Sequence, residues 1–579
     1  MARINQAMQD LLRYNAAILP QKRSSFNKSH SHTTTMDSAY LVPLMWDRVV
    51  PGDEKKIRYS GLARMATPIH PVMDEAKLDV WAFYVPDRLW WNHAKEFYGE
   101  NLDASFNPDG LYEMPSLRPD QYLVNTATDT GSLNDYFGFP IWNGSRAELA
   151  NLETDMRCTA GLHRSYQLIW NEWFRNSSVQ PALRLNQGDN VTDDEWSVIK
   201  QIRKVCKYPD FFTTLLREPQ AGDDVTLPLG EWAPVVTRDE NTSDASYFTD
   251  PLKFARKFGG KFDLFNNGPD KNFVVGTGIR DGRLYANSGY DTYIKEDFAE
   301  DEKGYLYPVN LWADLTNATA ATINNLRAAI TIQHLLEIDA LGGKRYQNIM
   351  QAHFGVLTPD ATLQRPELLG ATRTSIGMRQ VLQTSASEEG GSPQGNTAAF
   401  SLTNVTNEWI CNKAFTEPGF IMVLGAIRPV QSYSQGVDPL LRKLNRYDHY
   451  WTVFDNLGNQ PVDTTAIFFT DSEKAGGIDL DYVNDVFGYQ EAWTEYRMKQ
   501  NRVSGLMRPD HPTSLFTWNY STLFTEPPVL NGEFVEEDPN LIDRTIAVTS
   551  EPQFIIDNYF DYIDVKNMSV HSIPGLLRL

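Results

Sequence analysis

The sequence predicts a mainly β protein built as an antiparallel sandwich, and three observations lead to this fold class. Candidate strands occur near both ends of the 579-residue chain, and helices and long polar loops separate them. The strands do not alternate regularly with helices, as a parallel sheet requires. With 41% hydrophobic and 12% aromatic residues, the chain can also bury a large core.

Four segments carry strand patterns. From Lys55 to Ala66, apolar or small residues alternate with mostly polar ones, which is typical of a half-buried strand. Leu78–Val85 is rich in β-branched and aromatic residues and precedes Pro86, so we expect a strand that runs into a loop. The longest apolar run, Gly419–Ile427, predicts a strand buried on both faces, and Thr465–Phe469 is a further candidate.

Two helices are expected to act as packing elements. Ser165–Asn176 places five apolar residues at helical spacing on one face. Ala318–Leu341 is rich in Ala, Leu and Ile and is followed by Gly342-Gly343, which favours a left-handed helix end.

The amino terminus combines a short predicted helix with a polar arm. Apolar residues at helical spacing occur before Pro20, and Gln21–Thr35 is rich in Ser, Thr and His. The region is locally basic, so it is a candidate for contact with DNA phosphates; packing on a neighbouring copy is an equal alternative. The DNA-facing candidates are Arg3, Arg13, Lys22 and Arg23.

A Pro-punctuated, polar and Tyr-rich stretch interrupts the chain from Arg217 to Leu306 and predicts an insertion. Its tyrosines offer contact area for a partner, and the recognition candidates are Tyr285, Tyr290 and Tyr293. We therefore expect an amino-terminal helix and arm in residues 1–35, core in 36–216, a surface insertion in 217–306, and the remainder of the core in 307–579. A second polar break covers Ser385–Asn396.

Charge and cysteine content narrow the function classes. A net charge of −21 argues against a surface that grips nucleic acid throughout, so such contacts are expected to be local. The three cysteines are far apart and lack a Cys-x-x-Cys spacing, which predicts buried thiols in a reducing compartment. Neither a secretory signal nor a membrane-spanning run is evident, so we expect no membrane insertion.

Motifs of catalysis are not found. The sequence contains no His-Glu-x-x-His helix, Gly-x-Ser-x-Gly elbow or phosphate loop, and a Gly-rich match near Gly276 misplaces its third glycine. His30 and His32 alternate in the arm and are expected to be solvated rather than metal ligands. We therefore expect no enzyme activity, no catalytic residues, no cofactor and no metal.

The segment Phe487–Arg497 is the most informative. Tyr489, Trp493 and Tyr496 recur at helical spacing, which predicts a buried aromatic stripe on a helix. Glu491 and Glu495 are four residues apart on a face expected to be solvated, although an acid–base pair is the alternative.

This segment resembles a signature of the major capsid protein of gokushoviruses, a branch of the Microviridae. Other segments resemble the same family and follow in the same order along nearly the whole chain: Arg23–His30, Tyr40–Pro43, Pro51–Asp53, Ala66–Pro68, Phe83–Arg88, Leu168–Arg175, Ala320–Ile323, Gly342–Tyr346, His353–Gly355, Gln364–Glu367, Asp543–Ala547 and Ser572–Leu576. The predicted insertion coincides with the main gap in this similarity.

The resemblance implies an eight-stranded antiparallel jelly roll of the viral capsid type with long helical and loop insertions. Copies of such a chain form a T=1 icosahedral shell around circular single-stranded DNA in a bacteriophage virion assembled in the host bacterial cytoplasm. Implied partners are further copies of the chain, the packaged DNA, a small basic DNA-binding protein and a scaffolding protein of the same virus, and a bacterial surface receptor. The insertion is implied to form a threefold protrusion used in host attachment.

A second function class has support in the sequence. A jelly-roll carbohydrate-binding module or glycan-cleaving enzyme would also use an aromatic-rich insertion, and Glu491 with Glu495 would supply carboxylates. Particle formation favours the capsid hypothesis, whereas a monomer that cleaves a glycan favours this alternative.

Overall fold

The structure is a computed structural model. It describes residues 23–100, 112–144, 149, 156–223, 225, 323–382, 397–402, 407–469, 473–474, 477–478 and 481–571, and the strands that lie between 235 and 313.

The described strands, β1 to β25 in chain order, are Ser24–Asn27, His30–Met36, Val42–Val49, Glu54–Met65, Ala76–Pro86, Ser116–Leu117, Cys158–Thr159, Val235–Thr237, Phe254–Arg256, Asp263–Asn266, Ile279–Arg280, Arg283–Leu284, Thr292–Lys295, Leu306–Pro308, Leu311–Ala313, Glu367–Ile376, Met378–Leu382, Thr397–Leu402, Glu408–Ala414, Gly419–Pro429, Asn459–Asp463, Glu473–Lys474, Gly477–Ile478, Val486–Glu491 and Phe554–Lys566.

Helices are fewer and mostly short. The α-helices are Asp87–Trp90, Ala94–Phe97, Pro119–Tyr122, Leu133–Tyr136, Gly161–Ile169, Asp193–Ile199, Ile323–Gly342, Tyr346–Phe354, Thr494–Arg497, Gly532–Val535 and Asn540–Asp543. A π-helical turn covers Trp170–Phe174, and 3₁₀ turns cover Pro439–Arg442, Arg446–Asp448, Thr452–Phe454, Thr464–Ala466, Asp481–Asn484, Gly505–Met507 and Phe516–Trp518.

Two antiparallel sheets form the centre of the fold, which confirms the mainly β prediction. In the first sheet, β25 pairs with β4 on one side and with both β1 and β2 on the other, and β19 pairs with β4. The second sheet has the order β16-β5-β20-β3. Paired strands therefore come from distant parts of the chain.

The main apolar core is shared by both sheets. The inward face of β4 supplies Ile57, Tyr59 and Ala63, which alternate with more exposed residues as the sequence predicted. The second sheet contributes residues such as Ile421 and Val423 from β20 to the same cluster. The two sheets therefore pack against each other through their alternating apolar residues.

A helix covers the other face of the second sheet. Phe420, Met422 and Leu424 alternate with the inward residues of β20 and pack with Tyr166 and Trp170. This confirms that Gly419–Ile427 is buried on both faces. It also confirms the helix predicted within Ser165–Asn176, which runs as an α-helix from Gly161 and continues into the π-helical turn.

Contacts between Cα atoms divide the chain into two units. One contains Met1–Ala221 with Leu336–Leu579, and the other contains Gly222–Leu335. In the second unit the strand pairs are nested, since β8 pairs with β15, β9 with β14, β10 with β13 and β11 with β12. The described strands of this unit therefore form four nested antiparallel pairs.

Several local predictions were wrong or only partly right. Residues 24–36, expected in a polar arm, form β1 and β2, because their backbones pair with β25. Thr465–Phe469 is not a strand: a 3₁₀ turn covers Thr464–Ala466, and the Phe468 amide bonds back to the Thr464 carbonyl. The helix Ile323–Gly342 ends before Gly343, at φ +90°, as predicted. However, none of its described side chains is buried, so it is not a core packing element within this chain.

Candidate assembly surface

The predicted DNA-facing residues fall mostly outside the described part of the chain. Arg3, Arg13 and Lys22 are among these residues, as is the predicted helix before them. Arg23 immediately precedes β1, where its Nη2 donates to the Gly52 carbonyl oxygen at 2.8 Å. The guanidinium of Arg23 is thus already engaged within the chain.

The recognition candidates are only partly described. Tyr285 and Tyr290 lie outside the described residues, as does the Ser385–Asn396 break. Tyr293 lies in β13, with its backbone opposite Phe265 of β10. The structure therefore places the backbone of Tyr293 within the nested strand pairs.

The prediction that Phe487–Arg497 forms a helix with an aromatic stripe is wrong. Residues 486–491 form β24, and Tyr489 pairs there with Pro461 of β21. Trp493 then adopts a left-handed conformation, φ +69°, and the helix begins only at Thr494. Trp493 and Tyr496 still come close, with ring centroids 6.2 Å apart.

Glu491 and Glu495 do not share a solvated helix face. Glu491 ends β24, and its Oε2 accepts from Arg497 Nη1 at 2.7 Å. Glu495 is 13% exposed and forms an ion pair with Lys443. Each carboxylate is therefore neutralised by a different cation, which disfavours the acid–base arrangement of the alternative hypothesis.

The feature that sequence reasoning missed is an exposed apolar loop, residues 441–457. Val453 is 87% exposed and Leu444 is 86% exposed, although both are large aliphatic side chains. The complete set of exposed large apolar residues in the loop is Leu441, Leu444, Tyr447, Tyr450, Trp451, Val453 and Leu457. Exposed apolar residues concentrated in one short segment are typical of protein interaction sites.

Hydrogen bonds between its own side chains and backbone fix the conformation of the apolar loop. Asp448 Oδ2 accepts from the Asn445 amide at 2.8 Å and from the Leu444 amide at 3.2 Å. Trp451 Nε1 donates to the Arg446 carbonyl oxygen at 2.9 Å. The loop is therefore ordered before it meets a partner, which reduces the entropy lost on binding.

Trp493 anchors the apolar loop to the rest of the fold. Its Nε1 donates to the Phe454 carbonyl oxygen at 2.7 Å, and its ring makes an edge contact with Tyr450 at 5.7 Å. Lys443 Nζ lies 4.7 Å from the centre of the same ring. The left-handed turn at Trp493 thus places one indole against both ends of the loop.

Burial of this surface can drive association. Transfer of a Leu or Val side chain from water into an interface contributes about 1.5–3 kcal/mol before ordering costs. A dense group of apolar residues without a clear strand or helix period was the available signal in the sequence. It was not sufficient, because core residues have the same composition.

Metal and membrane features are not part of this surface. Among the described residues, no group of three or more His, Cys, Asp or Glu side chains is arranged to hold a metal ion. In that same part of the chain, no helix has both the length and the hydropathy to cross a bilayer. Cys158, Cys206 and Cys411 are free thiols; Cys411 is buried as predicted, whereas Cys158 and Cys206 are only partly buried.

A two-sheet antiparallel fold with an ordered apolar loop exposed to solvent is consistent with a viral coat subunit, although lectin and cupin domains have related folds. The comparison with protein families makes the assignment specific, since the model for the phage capsid protein (F protein) family matches residues 18–576. The chain belongs to this family, and it is a major capsid protein located in the virion.

Individual relatives agree over nearly the whole chain. It is 34% identical to capsid protein VP1 of Spiroplasma virus 4, over 100% of this chain and 99% of that protein. It is 33% identical to the VP1 proteins of Chlamydia phage 1 (96% of each chain) and of Bdellovibrio phage phiMH2K (96% of this chain and 95% of that one). The resemblance to gokushovirus capsid proteins is thereby confirmed, and these relatives are structural proteins rather than glycan-cleaving enzymes.

Proposed function

We propose that copies of this chain close into a T=1 icosahedral shell around circular single-stranded DNA, with an eight-stranded jelly roll as the shell-forming core. The sheet topology supports the jelly roll. With β1 and β2 taken as one edge strand, each sheet has four positions, and consecutive strands β2, β3, β4 and β5 alternate between the sheets. The next strand of these sheets, β16, stays in the second sheet beside β5, and β19, β20 and β25 then alternate between the sheets again.

The exposure of the apolar loop is the single observation that best supports self-association. Its most exposed side chains contribute little to the stability of the isolated subunit, since Leu444 and Val453 are largely in water. Substitution of these two residues therefore separates assembly from folding. This property makes the loop a suitable target for testing the proposed shell.

The test is a Leu444→Ser/Val453→Ser double variant, with Asn456→Ser as the matched control in the same exposed loop. We expect the double variant to remain folded, with an unchanged thermal melting curve, and to sediment as small species. The control is expected to form closed particles visible by electron microscopy. A normal yield of shells from the double variant would show that the loop is not an assembly contact.

DNA contact is proposed for the basic amino-terminal residues Arg3, Arg13, Lys22 and Arg23. Their local excess over acidic residues supports contact with phosphates without sequence reading. Replacement of all four by Gln is expected to lower the DNA content of particles or increase its loss in salt. Because Arg23 already bonds to Gly52, we expect the other three to carry most of the effect.

Host attachment is proposed for the insertion, residues 217–306, as a surface protrusion. The nested pairing among strands β8 to β15 supports this role, because these strands pair with one another rather than with the two central sheets. Replacing Tyr285–Tyr293 with a Gly-Ser linker is expected to leave shells intact and to reduce attachment to the host bacterium. Intact shells that attach normally would rule out this stretch as the receptor-binding site.

The remaining partners follow from the same proposal. A small basic protein and a scaffolding protein of the same virus would compensate genome charge and guide assembly in the host bacterial cytoplasm. The strongly negative net charge of −21 supports the need for a separate basic component.

A further inference from the structure

A polar cavity of about 430 Å³ lies outside the apolar loop and has no role in the functions above. Two chain segments form it: residues 433–436, which follow β20, and residues 500–508. Its polar side chains are Ser434, Gln500, Arg502, Ser504 and Arg508. The residues lining this cavity include two arginines and no acidic side chain.

Backbone pairing holds the two segments together. The Tyr433 amide donates to the Asn501 carbonyl oxygen at 3.0 Å, and the Val503 amide donates to the Tyr433 carbonyl oxygen at 3.2 Å. Arg508 is also fixed, because its Nη2 donates to the Ser434 carbonyl oxygen at 2.6 Å. The cavity is therefore preformed within one chain.

Nearby carboxylates leave donor capacity on both arginines. Arg502 Nη1 is 3.7 Å from Asp438 Oδ2, and Arg508 Nε is 4.0 Å from Asp510 Oδ1. These distances are too long for good hydrogen bonds. Two guanidinium groups with N–H donors at one cavity suit an anion that has several acceptor oxygens.

A buried hydroxyl provides independent support for a ligand. Ser434 is 9% exposed, and its Oγ has no hydrogen-bond partner in the structure. Gln500 Oε1 also has no partner, but it is an acceptor and so contributes no hydrogen bond to an anion. Buried polar groups without partners are uncommon because each carries a desolvation cost, so a ligand that accepts from Ser434 would remove this cost.

We propose that this cavity binds a phosphate group, which Arg502 and Arg508 neutralise and to which Ser434 donates a hydrogen bond. Free phosphate and the phosphates of a nucleic acid strand share this chemistry. The site is formed by residues of one chain, so its existence does not depend on the proposed shell. If the packaged DNA strand supplies the phosphate, this cavity would be a second DNA contact, far in sequence from the basic amino terminus.

The test is isothermal titration of the full-length chain with inorganic phosphate and, separately, with a short single-stranded oligonucleotide. Arg502→Gln and Ser434→Ala are the test variants. Lys499→Gln is the matched control, because Lys499 also pairs with Asp438, at 3.2 Å, but does not line the cavity. Thermal melting of each variant verifies folding.

We expect the unmodified chain to bind at least one of the two ligands saturably. The affinity for that ligand should fall about tenfold or more in both test variants and less than threefold in the control. Binding of phosphate alone would identify a free anion as the source, and binding of the oligonucleotide alone would identify the nucleic acid. Absence of saturable binding of either ligand by the unmodified chain overturns the proposal. Equal weakening by the Lys499 control also overturns it, since it would indicate general charge attraction.

Discussion

Lys55 is expected to be one of the most sensitive positions in the fold. Its side chain is fully buried on β4, where Nζ lies 2.7 Å from Asp47 Oδ2 and 3.1 Å from Asp564 Oδ2. It also donates to the Tyr562 hydroxyl at 2.6 Å. The ammonium therefore compensates two carboxylates on β3 and β25, and it links the two sheets.

Lys55→Met retains the length of the side chain and removes the charge. Loss of one partner of a buried ion pair costs about 3–5 kcal/mol, because the other charge stays buried. We expect the lower end, about 3 kcal/mol, since Lys28 still contacts Asp47 at 2.6 Å and Lys566 contacts Asp564 at 3.2 Å. The remaining cations moderate the loss without replacing the Lys55 hydrogen bonds.

The assay is urea unfolding of the unassembled chain followed by tryptophan fluorescence. Lys56→Met on the same strand is the matched control, because the Lys56 side chain is 39% exposed and forms a surface ion pair with Glu54 at 3.1 Å. Surface pairs of this kind contribute at most about 1 kcal/mol. If both variants lose the same free energy of unfolding, the reasoning about the buried cation is refuted.

Three further predictions address acid stability, packing and thiol access. Burial alone would raise the pKa of Asp47, but Lys55 and neighbouring hydrogen bonds lower it from 3.8 to about 2. The ionised carboxylate therefore contributes roughly 2 kcal/mol to the free energy of unfolding, and this contribution is complete above about pH 4 and is lost as the pH falls through 2. Asp47→Asn should accordingly reduce the loss of unfolding free energy between pH 5 and pH 2. A Cβ on Gly419 would overlap backbone carbonyl oxygen, so Gly419→Ala should cost about 3 kcal/mol in urea unfolding, whereas Gly377→Ala, with open space around it, should be neutral. Burial raises the pKa of the Cys411 thiol to about 12, so iodoacetamide should modify it only after unfolding, as peptide mass spectrometry would show; equal labelling of native chain would contradict this.

The elements that could be predicted from sequence are those whose burial imposes a local period. Alternation in Lys55–Ala66 predicted β4 because only one face is buried, and the unbroken apolar run predicted β20 because both faces are buried. The pairing partners could not be predicted, because β4 and β25 are about 500 residues apart and periodicity carries no information on register. For the same reason, the polar sequence of β2 gave no sign of its pairing with β25, and the segment was predicted to be a solvated arm.

Local backbone chemistry explains the other differences. The spacing of Tyr489, Trp493 and Tyr496 fits a helix, but strand pairing at Tyr489 and the left-handed Trp493 divide the segment. The apolar loop was not predicted because its residues resemble core residues until their surroundings are known. Candidate sites in the amino terminus and the insertion stay predictions, since most of their residues lie outside the described part.

The position of β25 in the first sheet has a consequence for the order of folding. This strand, residues 554–566, is hydrogen-bonded on both edges, yet it is translated after all of its partners. Before β25 is synthesised, β2 and β4 have no strand between them, and Asp564 is not yet present to pair with Lys55. Sheet closure must therefore follow synthesis of residues 554–566, and until then the nascent polypeptide carries open strand edges that can pair with other chains.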